Sequence, residues 1–495
     1  MVWSDDYSDY SNDYSNSNSD YSSDYNETEI VDDLPLYTPP FPALAGTACL
    51  LFGILMSYSL YPAEDTPSAM ARVAAIGVGA GFLVSIWFDS RKGLRNLLRT
   101  DLLCILALYG LTLAEFLFPQ EEFNTLIDPT QITNSLNVVL VGLAGLAIGR
   151  HLIPPTPVRS RWLTPDEISN QALFWGCIVA AFFAFLYMLI SVEFDPIALI
   201  DGMLGPRFSE PWGRSRLGGW NSLLTELSLL SYIIPPMMAV VWNRRHTFPV
   251  WQFTVLNSVF ALVLFQAFAS GTRNVFISHT ATFIVSYLLT LPYNTFRNTV
   301  VPVLLAVSIA LYASYHMLEF RTIGLRNYIV NEVYASGSTR DTFAVDYNLV
   351  SIAPLIEAFP ESYPFLGFEV ITWSLVRPIP RALFPGKPEG LSVSIEEIVG
   401  ADEGYTLAAT YLGESYMMAG WLGIAGVSLF FGALAAWWNR MAMQSQSDYA
   451  LVVYALGFFA AGITMRSMFW LTTTILPVIV LIVFRKLTSD RSAST

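Results

Sequence analysis

The chain has 495 residues, 54% of them hydrophobic and only 13% charged, with a mean hydropathy of +0.47. A soluble globular chain is nearer a quarter charged, so this composition excludes an ordinary water-soluble protein and predicts an all-α, polytopic integral membrane protein. The formal charge of −14 is mostly local: residues 1–33 hold eight Asp and two Glu with no Lys or Arg, leaving −4 for the rest.

Residues 1–36 read as a disordered, acidic cytoplasmic tail. Their Ser/Asp/Asn/Tyr repeats have too little apolar surface to form a core. The tail has neither the basic start nor the apolar centre of a cleaved signal peptide. Its Asn26-Glu-Thr sequon is a chance match on the cytosolic side.

Residues 37–317 are predicted to form transmembrane helices 1–9, at about 41–61, 69–88, 101–118, 135–153, 170–192, 222–242, 251–269, 274–292 and 299–317. Residues 318–415 form a large extracytoplasmic loop. Helices 10–12 follow at about 416–438, 449–465 and 468–484, within 416–486, and residues 487–495 are a second cytoplasmic tail. Short connections alternate in charge. Arg91, Lys92, Arg95 and Arg99, then Arg150, Arg159 and Arg161, then Arg244 and Arg245 lie on one side. Glu64, Asp65, Glu121, Glu122 and Asp128 lie on the other. The positive-inside rule then places both termini in the cytoplasm, in a cytoplasmic membrane crossed many times.

The two longer loops break this pattern. Residues 193–221 carry Arg207, Arg214 and Arg216, and the 318–415 loop carries Arg321, Arg326, Arg340, Arg377, Arg381 and Lys387, all on the outer side. Within the large loop, Tyr347–Phe359 and Phe365–Val376 are apolar but too short to span, which suits re-entrant or interface-lying helices. Pro378 and Pro380 end the second stretch.

Twenty-three of the basic residues are Arg and three are Lys. A guanidinium offers a planar fork for phosphate oxygens and keeps its charge in a dry site. The outer cations therefore point to an anionic ligand at the membrane boundary, with a lipid diphosphate as the leading candidate. Against this stands snorkelling to headgroups, or pairing with Glu357, Glu361 and Glu369. Arg273 lies in Ser270-Gly-Thr-Arg-Asn274, a break between two apolar spans, where a charge usually faces protein or a wet cavity.

No His occurs within 318–415, so candidate general bases there are carboxylates. Glu414 is foremost, because Gly413-Glu-Ser-Tyr416 leads into the tenth span and a partly desolvated carboxylate suits a base. His316, at the end of the ninth span, reads as a packing or interfacial residue. Cys49, Cys104 and Cys177 lie inside apolar spans with no metal-ligand spacing. No cofactor, no transition-metal site and no nucleic-acid partner is expected, and no nucleotide-binding motif is present.

The spans, the large outer loop before the last three, and Phe365-Leu-Gly367 with Ile379-Pro-Arg-Ala-Leu-Phe-Pro-Gly-Lys-Pro388 resemble the oligosaccharide repeat-unit polymerases of the O-antigen polymerase type. Ser270-Gly-Thr-Arg273 is similar to the Gly-Ser-Arg turn of that family. Thr410-Tyr-Leu-Gly-Glu-Ser-Tyr416 with Ala419-Gly-Trp-Leu-Gly423 is similar to the family's G-E-x-Y and G-x-x-G lead into the following span. The resemblance covers about residues 260–430 in motif and the whole chain in architecture; the acidic tail lies outside it.

The resemblance implies a glycosyltransferase acting on polyprenyl-diphosphate-linked glycans outside the membrane. Glu414, Arg381 and Arg273 would be catalytic, and Arg321, Arg326, Arg377, Lys387, Arg207 and Arg214 would bind substrate. Partners would be lipid-linked glycans, membrane lipids, a chain-length regulator and a flippase. An O-antigen ligase, and a lipid-linked oligosaccharide flippase or other transporter, remain as alternatives.

Overall fold

Backbone in hydrocarbon must satisfy its own hydrogen bonds, so each long apolar run is committed to a helix. The computed structural model describes residues 41–154, 167–207, 209–212, 221–291, 296–321, 323–330, 347–379, 383–400, 409–443 and 447–492. Among them there is no strand. The predicted tail over 1–36 lies outside the described residues, as do Arg214 and Arg381.

The helices are α1 (Leu44–Leu60), α2 (Pro67–Ser90), α3 (Thr100–Thr112), α4 (Pro129–Gly149), α5 (Asn170–Ser191), α6 (Pro196–Leu204), α7 (Asn221–Leu227), α8 (Ile234–Asn243), α9 (Val250–Ala269), α10 (Arg273–Thr290), α11 (Phe296–Phe320) and α12 (Leu325–Val330). There follow α13 (Asn348–Ala358), α14 (Phe368–Val376), α15 (Ile395–Val399), α16 (Thr410–Met443), α17 (Asp448–Arg466), α18 (Leu471–Thr474) and α19 (Leu476–Ser492). Both short apolar stretches of the large loop form helices, α13 and α14.

Among the described residues, ten helical segments are long and apolar enough to cross a membrane. The other two predicted spans differ for a physical reason. α3 has only 13 residues before a 3₁₀ turn at Ala114–Leu117. α10 carries Arg273, Asn274, Ser278, His279 and Thr282 and packs mainly on α8 and α17. Both pack against several other helices, so neither needs an apolar surface all round.

Three further spans depart from a simple rod. The predicted 222–242 helix is α7, a 3₁₀ turn at Ser228–Ile233, and α8, whose first turn accommodates Pro235 and Pro236. The tenth span starts at Thr410, earlier than the expected 416, and is broken at Ala419 and Gly420. The last begins as a 3₁₀ turn at Met468–Trp470 and continues helically to Ser492, through most of the expected 487–495 tail.

One core joins α1–α4 to α13, α14 and α16; a second joins α5, α8–α10, α17 and α19. A third, smaller cluster lies where α9 meets α10 and α11 meets α12. α4 and α16 approach closely because a side chain is missing at the contact. A Cβ on Gly149 would stand 2.3 Å from the Leu429 carbonyl oxygen, and one on Gly432 would stand 2.5 Å from that of Leu146. Lipid gives little hydrophobic drive between helices, so close packing of small residues carries such contacts.

A fully buried ionic cluster ties α2, α3 and α4 at the end of the bundle remote from the large loop. Arg99 Nη2 donates to Asp89 Oδ2 at 2.7 Å, and Arg99 Nε donates to Asp101 Oδ1 at 3.1 Å. Arg150 Nη1 lies 3.8 Å from Asp101 and 4.0 Å from Asp89, and Arg150 Nη2 donates to Thr47 and Ser85. Asn439 of α16 also donates to Asp101. Arg99 and Arg150, counted from sequence among the inner-side cations, are interior groups paired with two aspartates.

Candidate functional site

The break in α16 is built by its sequence. Gly420 takes φ 59° and ψ −139°, a conformation that a Cβ strains. The space is closed too, since a Cβ there would lie 2.9 Å from the Phe365 ring. The amides of Leu366 and Gly367 donate at 2.9 Å to the carbonyls of Met417 and Met418, just before the break. Tyr416 stands edge-on to both Phe365 and Trp421. The Phe365-Leu-Gly367 segment of the large loop is therefore docked onto the interrupted span.

Glu414 lies one turn inside α16 and is 5% exposed. Its Oε1 accepts from Ser467 Oγ at 2.5 Å and its Oε2 from the Met468 amide at 2.6 Å. Those donors belong to the junction between α17 and the 3₁₀ turn, where amide groups lack partners within a helix. Sequence placed Glu414 ahead of the span, whereas the structure makes it a pin between two broken spans.

Arg377 ends α14. Its guanidinium lies 3.7 Å from the centre of the Trp470 ring, and its charge acts on the Glu414 carboxylate. Lys387 folds back on the same helix end, donating to the carbonyls of Arg377 at 2.5 Å and Ile379 at 3.0 Å. Cations at a helix C-terminus meet both the dipole and its free carbonyls. The Thr472 hydroxyl donates to the Ser374 carbonyl, closing α14 against the last span.

The remaining cations gather on other elements. Gly271, at φ 63°, turns the chain between α9 and α10, and a Cβ there would lie 3.1 Å from the Arg321 Cα. The Arg207 amide donates to the Arg321 carbonyl at 3.3 Å. The chain segments bearing Arg207, Arg273 and Arg321 thus converge. Arg326 pairs with Asp201 of α6 at 3.0 Å, with both side chains exposed. Beside Arg207, burial pushes the Glu210 carboxyl up to about 7 against the opposing pull of the arginine.

Of the carboxylates weighed as partners for the loop cations, Glu357 accepts from Gln131 and Glu369 accepts twice from Ser392. The site thus unites Arg377, Lys387 and Glu414, and separately the segments of Arg207, Arg273 and Arg321. Not singled out from sequence are Ser467 and Trp470, a hydroxyl and an indole just after Arg466 at a junction of apolar spans, and Glu210, an isolated carboxylate among loop arginines. A planar cation on an aromatic face, next to a second basic group, can receive the oxygens of an anion at a membrane boundary. No protein-family model, curated protein or solved structure matches this chain.

Proposed function

We propose that this protein is a membrane glycosyltransferase that polymerises polyprenyl-diphosphate-linked oligosaccharide repeat units, in O-antigen, capsule or exopolysaccharide synthesis. The large loop then lies on the extracytoplasmic side of the cytoplasmic membrane, with both termini in the cytoplasm. The observation that carries the reading is the docking of Phe365-Leu-Gly367 onto the Met417–Gly420 break. Two stretches resembling one enzyme family, about fifty residues apart, form one structural unit, with Arg377, Trp470 and Glu414 assembled beside it.

The growing glycan is transferred from its lipid to a hydroxyl of a new lipid-linked repeat unit. The leaving group is a diphosphate, and arginines preorganised at the boundary stabilise its developing charge. Arg377, Lys387 and Arg381 of the large loop and, on separate elements, Arg273, Arg207 and Arg321 are the groups assigned that work. Glu414 holds the two interrupted spans in register beside Arg377. The reaction is driven by the diphosphate bond and needs no nucleotide.

The test is the glycan profile of a deletion strain beside its complemented partner. Loss of long chains, with single repeat units still reaching the final acceptor, supports polymerisation. Long chains stranded on polyprenyl diphosphate indicate a ligase, and single units held on the cytosolic leaflet indicate a flippase.

A further inference from the structure

The last turn of α11 and the facing α12 hold a second polar constellation, distinct from Glu414. His316 Nδ1 lies 2.8 Å from the Tyr328 hydroxyl and 3.3 Å from Glu319 Oε2. The Tyr328 hydroxyl itself bonds to the same Glu319 oxygen. A phenol has one proton, and a carboxylate can only accept, so that proton points at Glu319. The Tyr328 oxygen must then accept from His316, which puts the imidazole proton on Nδ1. Nε2 is left with its lone pair. Burial and the Glu319 bond both push the Tyr328 phenol above its ordinary value, which keeps it a donor.

The surroundings suit a sugar carried on a lipid. His316 and Glu319 side chains are 26% and 11% exposed, so the imidazole can be reached while its carboxylate is shielded. Tyr312 and Tyr315 stand edge-on to the imidazole with centroids at 4.5 and 5.3 Å, and both are exposed. Such rings offer flat faces at the boundary between lipid and water. Phe320 and Tyr328 share an apolar cluster with Phe268 and Phe276, which flank the turn leading to Arg273. A Cβ on Gly271 of that turn would lie 3.1 Å from the Cα of Arg321, one residue beyond α11.

We propose that His316 is the general base for the acceptor hydroxyl, oriented by Tyr328 and Glu319; this rests on the polymerase reading given above. The acceptor O–H proton passes to Nε2 as its oxygen bonds to the anomeric carbon of the donor. The bond from that carbon to the diphosphate breaks, and its electron pair leaves with the polyprenyl diphosphate. Glu319, through Tyr328, steadies the imidazolium that forms. The proton then returns to water.

The test uses full-length protein in lipid nanodiscs with polyprenyl-diphosphate-linked repeat units. His316→Gln is expected to lower kcat by about a hundredfold or more, as loss of a positioned base does, with the acceptor KM held within about threefold. His316→Gly is expected to regain at least about tenfold in rate on adding imidazole, a response that a purely structural histidine does not give. Tyr328→Phe, which removes one hydroxyl, decides the matter if the His316 variants do not accumulate: a loss of about tenfold in kcat is expected, and an undiminished rate overturns the proposal. Polymer formed equally by wild type and His316→Gln overturns the assignment of the base alone. No polymer from wild type overturns the polymerase reading and this inference with it.

Discussion

Arg377 and Trp470 stack at 3.7 Å although nearly a hundred residues separate them, one ending a loop helix and the other ending the 3₁₀ turn before the last span. The pair holds a guanidinium at the edge of the large loop with one face covered by the indole. Arg377→Ala is expected to lower polymer formation by more than about a hundredfold while membrane abundance stays unchanged, as removing a donor to developing charge does. Arg377→Lys keeps the charge but not the planar fork, so it should recover only part. Activity assayed in membranes alongside immunoblotting checks this, and Ala activity within a few-fold of wild type removes Arg377 from the site.

Glu414→Ala should act on stability first. Both carboxylate oxygens accept bonds, from the Ser467 hydroxyl and the Met468 amide. Removing them leaves the buried Met468 donor unmet, at a cost of about 1–3 kcal/mol. The expected outcome is a lower unfolding temperature in detergent; an unchanged one contradicts the pinning role.

Arg273→Ala should abolish product with little change in abundance. The residue is the first of α10 and half-buried, beside the Gly271 turn that meets Arg321. Polymer within a few-fold of wild type would take Arg273 out of the site.

The Arg99–Asp89–Arg150–Asp101 cluster predicts a different class of defect. Replacing one partner leaves an uncompensated charge in a dry interior, which costs about 3–5 kcal/mol. Asp101→Asn is therefore expected to reduce the amount of folded protein in the membrane, with normal turnover per surviving molecule. Abundance and specific activity, measured together, separate this from a catalytic loss.

Glu210 gives a pH dependence with a definite sign. Its carboxyl is raised from an ordinary 4.5 to about 7 by burial, despite Arg207. Between those values the folded protein holds more protons than the unfolded chain, so this contribution to stability is full below about 4.5, falls as pH rises to about 7, and is flat above. Glu210→Gln should remove that slope. Thermal unfolding of both proteins from pH 4.5 to 8 tests it, and parallel curves contradict it.

The helical architecture was legible because hydropathy and length report directly on burial in lipid. The loop helices were legible for the same reason: Tyr347–Phe359 and Phe365–Val376 announce α13 and α14 by their apolar runs. What sequence could not show was depth and pairing. Arg99 and Arg150 look like any inner-side cations until Asp89 and Asp101 are found folded against them. Glu414 looked like a helix-start carboxylate because the break at Ala419–Gly420 moves the visible apolar run downstream of the true helix start. Ser467 and Trp470, the partners of Glu414 and Arg377, carry no local signal, since only tertiary contact gives them a role.

Polymerisation can be read in a purified system, with the full-length protein in lipid and polyprenyl-diphosphate-linked repeat units alone. The expected product is a ladder of lipid-linked glycans rising by one repeat unit per step, with one polyprenyl diphosphate released at each, and no ladder from Arg377→Ala. Repeat units left unchanged by the folded wild-type protein in lipid would rule out polymerisation, and a ladder undiminished in Arg377→Ala would remove Arg377 from it.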